Sequence, residues 1–129
     1  TRIRWDINGG QGTNFNVESW ADSSPQGDNP PIGQAVVFYV SEWNGNSGVQ
    51  VWLGNAVYTL TTNQNDFHTY QLQYHGGQYT ASVDGVQVLG PVTGLPTPNT
   101  IYIGNPNFGY WTSSSWGQFD VDYVRVTAP

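Results

Sequence analysis

Residues 67–89, FHTYQLQYHGGQYTASVDGVQVL, decide the fold. They spell three short antiparallel strands joined by two tight turns, Gly76-Gly77 and Asp84-Gly85. Both residue pairs supply the positive φ that a two-residue hairpin loop needs. Counting outward from the first turn sets Tyr74 against Tyr79, Leu72 against Ala81 and Tyr70 against Val83. Counting from the second sets Val83 against Val86 and Ala81 against Val88. Side chains alternate along a strand, so all these apolar residues fall on one face. Thr69, Gln71, Gln73, Gln78, Thr80, Ser82 and Gln87 fall on the other. Two independent turns thus agree on one amphipathic meander.

The same punctuation runs through the chain. Ile3, Trp5 and Ile7 alternate with Arg2, Arg4 and Asp6, which predicts a first strand over 2–7 and a Gly-rich turn over 8–12. A second strand covers 14–20, with Phe15 and Val17 on one face and Asn16, Glu18 and Trp20 on the other. ADSSPQGDNPP, 21–31, is a loop by its Pro, Gly, Asp and Ser content. AVVFYVSEW, 35–43, starts apolar on both faces, as a central strand of a two-layer structure does. Residues 49–53 and 57–60 form a hairpin about Gly54-Asn55. A loop with three prolines over 91–99, a strand over 100–104, an aromatic loop over 105–115 and a closing strand over 118–127 complete the chain. No segment holds a helical period beyond a turn. About ten short strands spaced by Gly, Pro and Asn predict an all-β sandwich or barrel. At 129 residues without internal repeat, 1–129 reads as a single domain; beginning at Thr1 with no signal sequence, it reads as one excised from a larger secreted protein.

Composition narrows the partners. Charged residues make up 9% of the chain, Lys is missing and net charge is −6, so little is present to neutralise phosphates or an anionic bilayer. No apolar run approaches the ~20 residues that span a membrane. Without Cys there is no disulfide and no thiolate metal site. The surface must be built from Asn, Gln, Ser, Thr, Gly and aromatics, which suits a neutral, hydroxyl-rich partner in an extracellular setting.

The meander followed by TIYIGN and FDVDYVRV resembles the C-terminal half of concanavalin A-like lectin/glucanase domains, including laminarinase-type β-glucanases and laminin-G-like modules. HTY…VDG and VDYVRV carry the likeness, over roughly the second half of the chain. It implies a jelly-roll β-sandwich of two antiparallel sheets with a concave glycan-binding face. The catalytic strand of those glucanases, spaced Glu-x-Asp-x-x-Glu, is missing: its nearest equivalent holds only Glu42. The likeness therefore implies a binder rather than an enzyme. It also implies a structural calcium held by the Asp of the last strand, here Asp122. Oxygen-only ligands favour Ca²⁺ over zinc, and alternation sets Asp120 and Asp122 on one strand face with Val124 and Val126, where an unpaired carboxylate is costly. Arg2, Arg4 and Arg125 are the other candidate partners.

Five aromatics carry the main functional signal. Trp52 alternates against Val51 and Leu53; Trp20 lies opposite Phe15 and Val17; Trp43 ends a strand in SEWNGN; Tyr110 and Trp111 sit in a polar loop. Sugars stack their C–H faces on such rings while Asn, Gln and Asp bond the hydroxyls, and rigid rings lose little entropy. Trp5, Phe38 and Tyr70 fall at core positions instead. The expectation is a monomeric, non-catalytic carbohydrate-binding module tethered to other domains, with a neutral polysaccharide as ligand. Two rivals stand beside it. One is a glycoside hydrolase or lyase using Glu18 and Glu42, which needs two carboxylates ~5–9.5 Å apart. The other is a structural adhesion domain. His68 and His75 lack a third ligand for zinc, and Ser113–Ser115 form no triad.

Overall fold

The computed structural model of the protein describes residues 1–11, 14–20, 34–42, 48–63, 65–104 and 116–127. These form ten strands: β1 (Arg2–Gln11), β2 (Asn14–Trp20), β3 (Gln34–Glu42), β4 (Val49–Leu53), β5 (Ala56–Leu60), β6 (His68–His75), β7 (Gln78–Val83), β8 (Val86–Thr93), β9 (Thr100–Gly104) and β10 (Trp116–Tyr123). They pair antiparallel into two five-stranded sheets, ordered β10-β1-β6-β7-β8 and β5-β4-β3-β2-β9. None of the described residues forms a helix long and apolar enough to cross a membrane.

One core lies between the sheets. The first contributes Ile3, Tyr70, Tyr79, Ala81 and Val83; the second contributes Phe15, Val37, Phe38, Val40, Val49, Val51, Leu53 and Leu60. Each Val, Leu, Ile or Phe among them withdrawn from water stabilises the fold by roughly 1.5–3 kcal/mol before conformational entropy is counted. β3, which holds 35–42 of the run expected to be central, is central, with β2 and β4 on its two sides.

The meander forms with the register expected for Tyr70–Val83, Leu72–Ala81, Tyr74–Tyr79 and Val83–Val86. It departs at Ala81, which pairs with Leu89 rather than Val88, and the register shifts again before Tyr79 pairs with Val92. The second irregularity coincides with a close approach. Gly90 has φ 92°, and a Cβ there would lie 2.5 Å from the Tyr79 carbonyl oxygen, so only glycine fits. β8 runs on to Thr93 through Pro91, where a loop was expected. An edge strand tolerates this, since proline costs no ladder bond there. Tyr74 and Val86, expected on the apolar face, are exposed beside their turns, and Ser82 from the polar face is buried.

Other boundaries move as well. β1 continues through the expected Gly-rich turn to Gln11, with a slipped register against β10 after Asp6. β3 bulges at Val37, between the Val17–Phe38 and Glu18–Val36 pairs. The Val37 carbonyl accepts the Gly54 N–H at 3.1 Å, one step beyond the Phe38–Leu53 pair, so the β3–β4 register runs on undisturbed past the bulge. β10 stops at Tyr123, not at 127, and Val124 and Val126 are exposed beyond it. The expected apolar strand face that Asp120 and Asp122 would share with those two valines does not exist.

Candidate functional site

Pairing sets a row of strand positions across the second sheet. Register pairs Tyr102 with Asn16, Asn16 with Tyr39, Tyr39 with Trp52 and Trp52 with Val57, which crosses the whole sheet from β9 to β5. At about 4.8 Å per strand the row spans roughly 19 Å. A second row runs beside it through Gly104, Asn14, Ser41, Gln50 and Thr59. Described side chains bear out the alternation from β3 to β5: Val49, Val51 and Leu53 are fully buried, Gln50 and Trp52 between them are half-buried, Tyr39 is half-buried and Val57 is exposed; on β9, Ile101 and Ile103, opposite Val17 and Phe15, are exposed. The Trp52 indole Nε1–H donates to Gln50 Oε1 at 3.3 Å, which fixes the ring along its own strand.

Charge is divided unevenly between the sheets. The five strands of the second contain no Arg or His, and Glu18 and Glu42 are their only acids. The first sheet carries Arg2, Arg4, Asp6, His68, His75, Asp120 and Asp122. The aromatic row therefore sits on the nearly uncharged layer.

Of the five aromatics singled out in the sequence, the structure describes the side chain of Trp52 alone. Trp20 is described by strand position, opposite Gln34 and an even four residues from Asn16. Trp43, Tyr110 and Trp111 lie outside the described residues. Tyr39 and Tyr102 were missed. Tyr39 is hidden in the run VVFYV, where both faces look apolar, and only its pairing with Trp52 distinguishes it. Glu18 and Glu42 are also described by position. Glu18 pairs with Val36, and Glu42 lies six residues further along β3, a backbone separation of roughly 20 Å.

Asp122 meets a cation of the chain's own. Arg2 Nη1 donates to Asp122 Oδ2 at 2.6 Å, and Arg4 Nε donates to Asp120 Oδ2 at 3.0 Å. Both guanidinium groups lie over the Phe67 ring, 4.7 and 4.9 Å from its centroid. No group of three His, Cys, Asp or Glu among the described residues is arranged to hold a metal ion. Asp122 Oδ2 is thus held by the Arg2 guanidinium, which a calcium ion there would have to displace or face.

Comparison of the chain with family models, curated proteins and solved structures returns no match.

Proposed function

We propose that the protein is a non-catalytic carbohydrate-binding module of the jelly-roll, concanavalin A-like type. It binds a neutral polysaccharide on the outer face of the β5-β4-β3-β2-β9 sheet and serves as the tether of a larger secreted protein. The observation that carries this reading is the row through Asn16, Tyr39 and Trp52 on an almost uncharged sheet. The neighbouring Tyr39 and Trp52 rings, with the Gln50 amide beside Trp52, match the C–H faces and hydroxyls of a pyranose chain, while charged ligands find no Arg or Lys on these strands. A row reaching both edges of the sheet suits a chain lying across the strands and extending past either end. The resemblance of HTY…VDG and VDYVRV adds support for the fold type.

Affinity electrophoresis against neutral β-glucan, xylan and mannan tests the proposal. Retardation by at least one of them, lost in Trp52→Ala, is expected. No retardation on any glycan, or release of reducing sugar that vanishes in Glu42→Gln, overturns it.

A further inference from the structure

We propose that His68 is a proton-operated latch, holding the crossover that carries Asn63 against the Asp84-Gly85 turn. His68 opens β6 and is buried. Its Nδ1 lies 2.6 Å from Asp84 Oδ2 and its Nε2 lies 2.7 Å from the Asn63 carbonyl oxygen. A carbonyl has no proton to give, and neither has an ionised carboxylate. Both ring nitrogens must therefore donate, which makes the ring an imidazolium.

The two partners belong to different parts of the chain. Asp84 is clamped from its other side: Oδ1 accepts the Thr69 N–H at 2.8 Å, and the Asp84 N–H donates to the Thr69 carbonyl at 2.9 Å. Asn63 sits at φ 51° in the crossover from β5 of one sheet to β6 of the other, and its carbonyl also accepts the Asp66 N–H at 2.9 Å. The charged groups acting on the pair are Asp84 and Asp66 on the ring, and Arg2 on Asp84. Ile3, opposite His68 on β1, brings no charge, and the Tyr70 ring meets the imidazole edge-on at 6.4 Å. Burial alone would lower the imidazole's proton affinity, but the bonds to Asp84 and Asn63 outweigh it and raise the group above its ordinary 6.5.

Loss of the proton acts unequally on the two contacts. The charge-assisted Nδ1–H bond to Asp84 is the stronger, so that proton stays and Nε2 is stripped. A lone pair then faces the Asn63 carbonyl, two acceptors in contact. The crossover is released while the Asp84 turn remains closed by Thr69. The latch is thus shut in acid and at neutrality and opens as pH rises past the raised pKa of His68. It stands on this geometry and does not depend on glycan binding.

Nitrogen-15 NMR of the whole chain between pH 4.5 and 9 tests it. Both His68 ring nitrogens should show protonated shifts at low pH and titrate with a midpoint above 6.5. The protection factor of the Asp66 amide should fall roughly tenfold through the same midpoint, the net worth of one hydrogen bond, while that of the Asp84 amide holds. His68→Gln should abolish the pH dependence at Asp66. A neutral His68 throughout, or Asp66 protection that ignores the His68 titration in the unaltered chain, overturns the proposal whether or not the variant folds.

Discussion

Arg2 on the first strand donates to Asp122 on the last at 2.6 Å, and the same guanidinium lies 4.7 Å from the Phe67 ring centroid. One side chain so joins β1, β10 and the approach to β6. Both partners of the ion pair are more than two-fifths exposed, which limits its worth to at most about 1 kcal/mol, with the ring contact adding about 0.5–1 kcal/mol. Arg2→Ala should lower the unfolding free energy measured in urea by about that sum, and salt should recover none of it. With Asp122 committed to Arg2, the chelator EDTA should leave the melting temperature unchanged. A drop of several degrees, restored by calcium, would show that the pair yields to a metal ion.

Trp52 and Tyr39 are direct neighbours across β4 and β3, and a sugar laid on one touches the other. Trp52→Ala should weaken glycan binding by about 2 kcal/mol, roughly thirtyfold, and Tyr39→Ala by somewhat less. Because they share a ligand, the double variant should depart from additivity by at least about 0.5 kcal/mol. Isothermal titration with the best-retarding polysaccharide reads all three values, and circular dichroism checks that each variant keeps its sheets. Additive losses would mean that the rings serve separate subsites.

Gly90 and Gly77 both have positive φ but differ in surroundings. A Cβ on Gly77 meets nothing within 4 Å, whereas on Gly90 it would strike the Tyr79 carbonyl at 2.5 Å and Thr80 Cα at 3.0 Å. Gly77→Ala should cost about 1–2 kcal/mol, the left-handed penalty alone. Gly90→Ala adds a backbone collision and should cost roughly 2–3 kcal/mol. Equal losses in urea melts would mean that β8 shifts to make room.

The all-β class and most of the meander were legible because Gly76-Gly77 and Asp84-Gly85 are local signals whose registers check each other. The slip at Leu89 was not, since nothing in VQVLGP announces that Gly90 must pass against Tyr79. Trp52 was legible from alternation with Val51 and Leu53. Tyr39 was not, because β3 is apolar on both faces and its neighbour across the sheet is set by long-range pairing. His68 read as a lone histidine and Asp84 as a turn residue. Sixteen positions separate them, and only the β6–β7 hairpin brings their side chains to 2.6 Å.

That pair also predicts how stability depends on pH. His68 is raised above 6.5 in the fold: burial opposes this, but the Asp84 and Asn63 bonds prevail. Its contribution is therefore complete below 6.5 and is lost as pH rises through the folded value. Asp84 is lowered below 3.8: burial again opposes, and the bonds from His68 and from the Thr69 N–H prevail. Its contribution is complete above 3.8 and is lost as pH falls through its folded value. The pair stabilises most between 3.8 and 6.5, with a loss on each side. Urea midpoints measured across pH for the unaltered chain, minus those of Asp84→Asn, should trace this plateau, because the other acids cancel in the difference. His68→Gln should remove the alkaline limb. A difference curve that is flat, or that rises above pH 7, would mean that His68 is neutral in the fold and that one of its two short contacts is not a hydrogen bond.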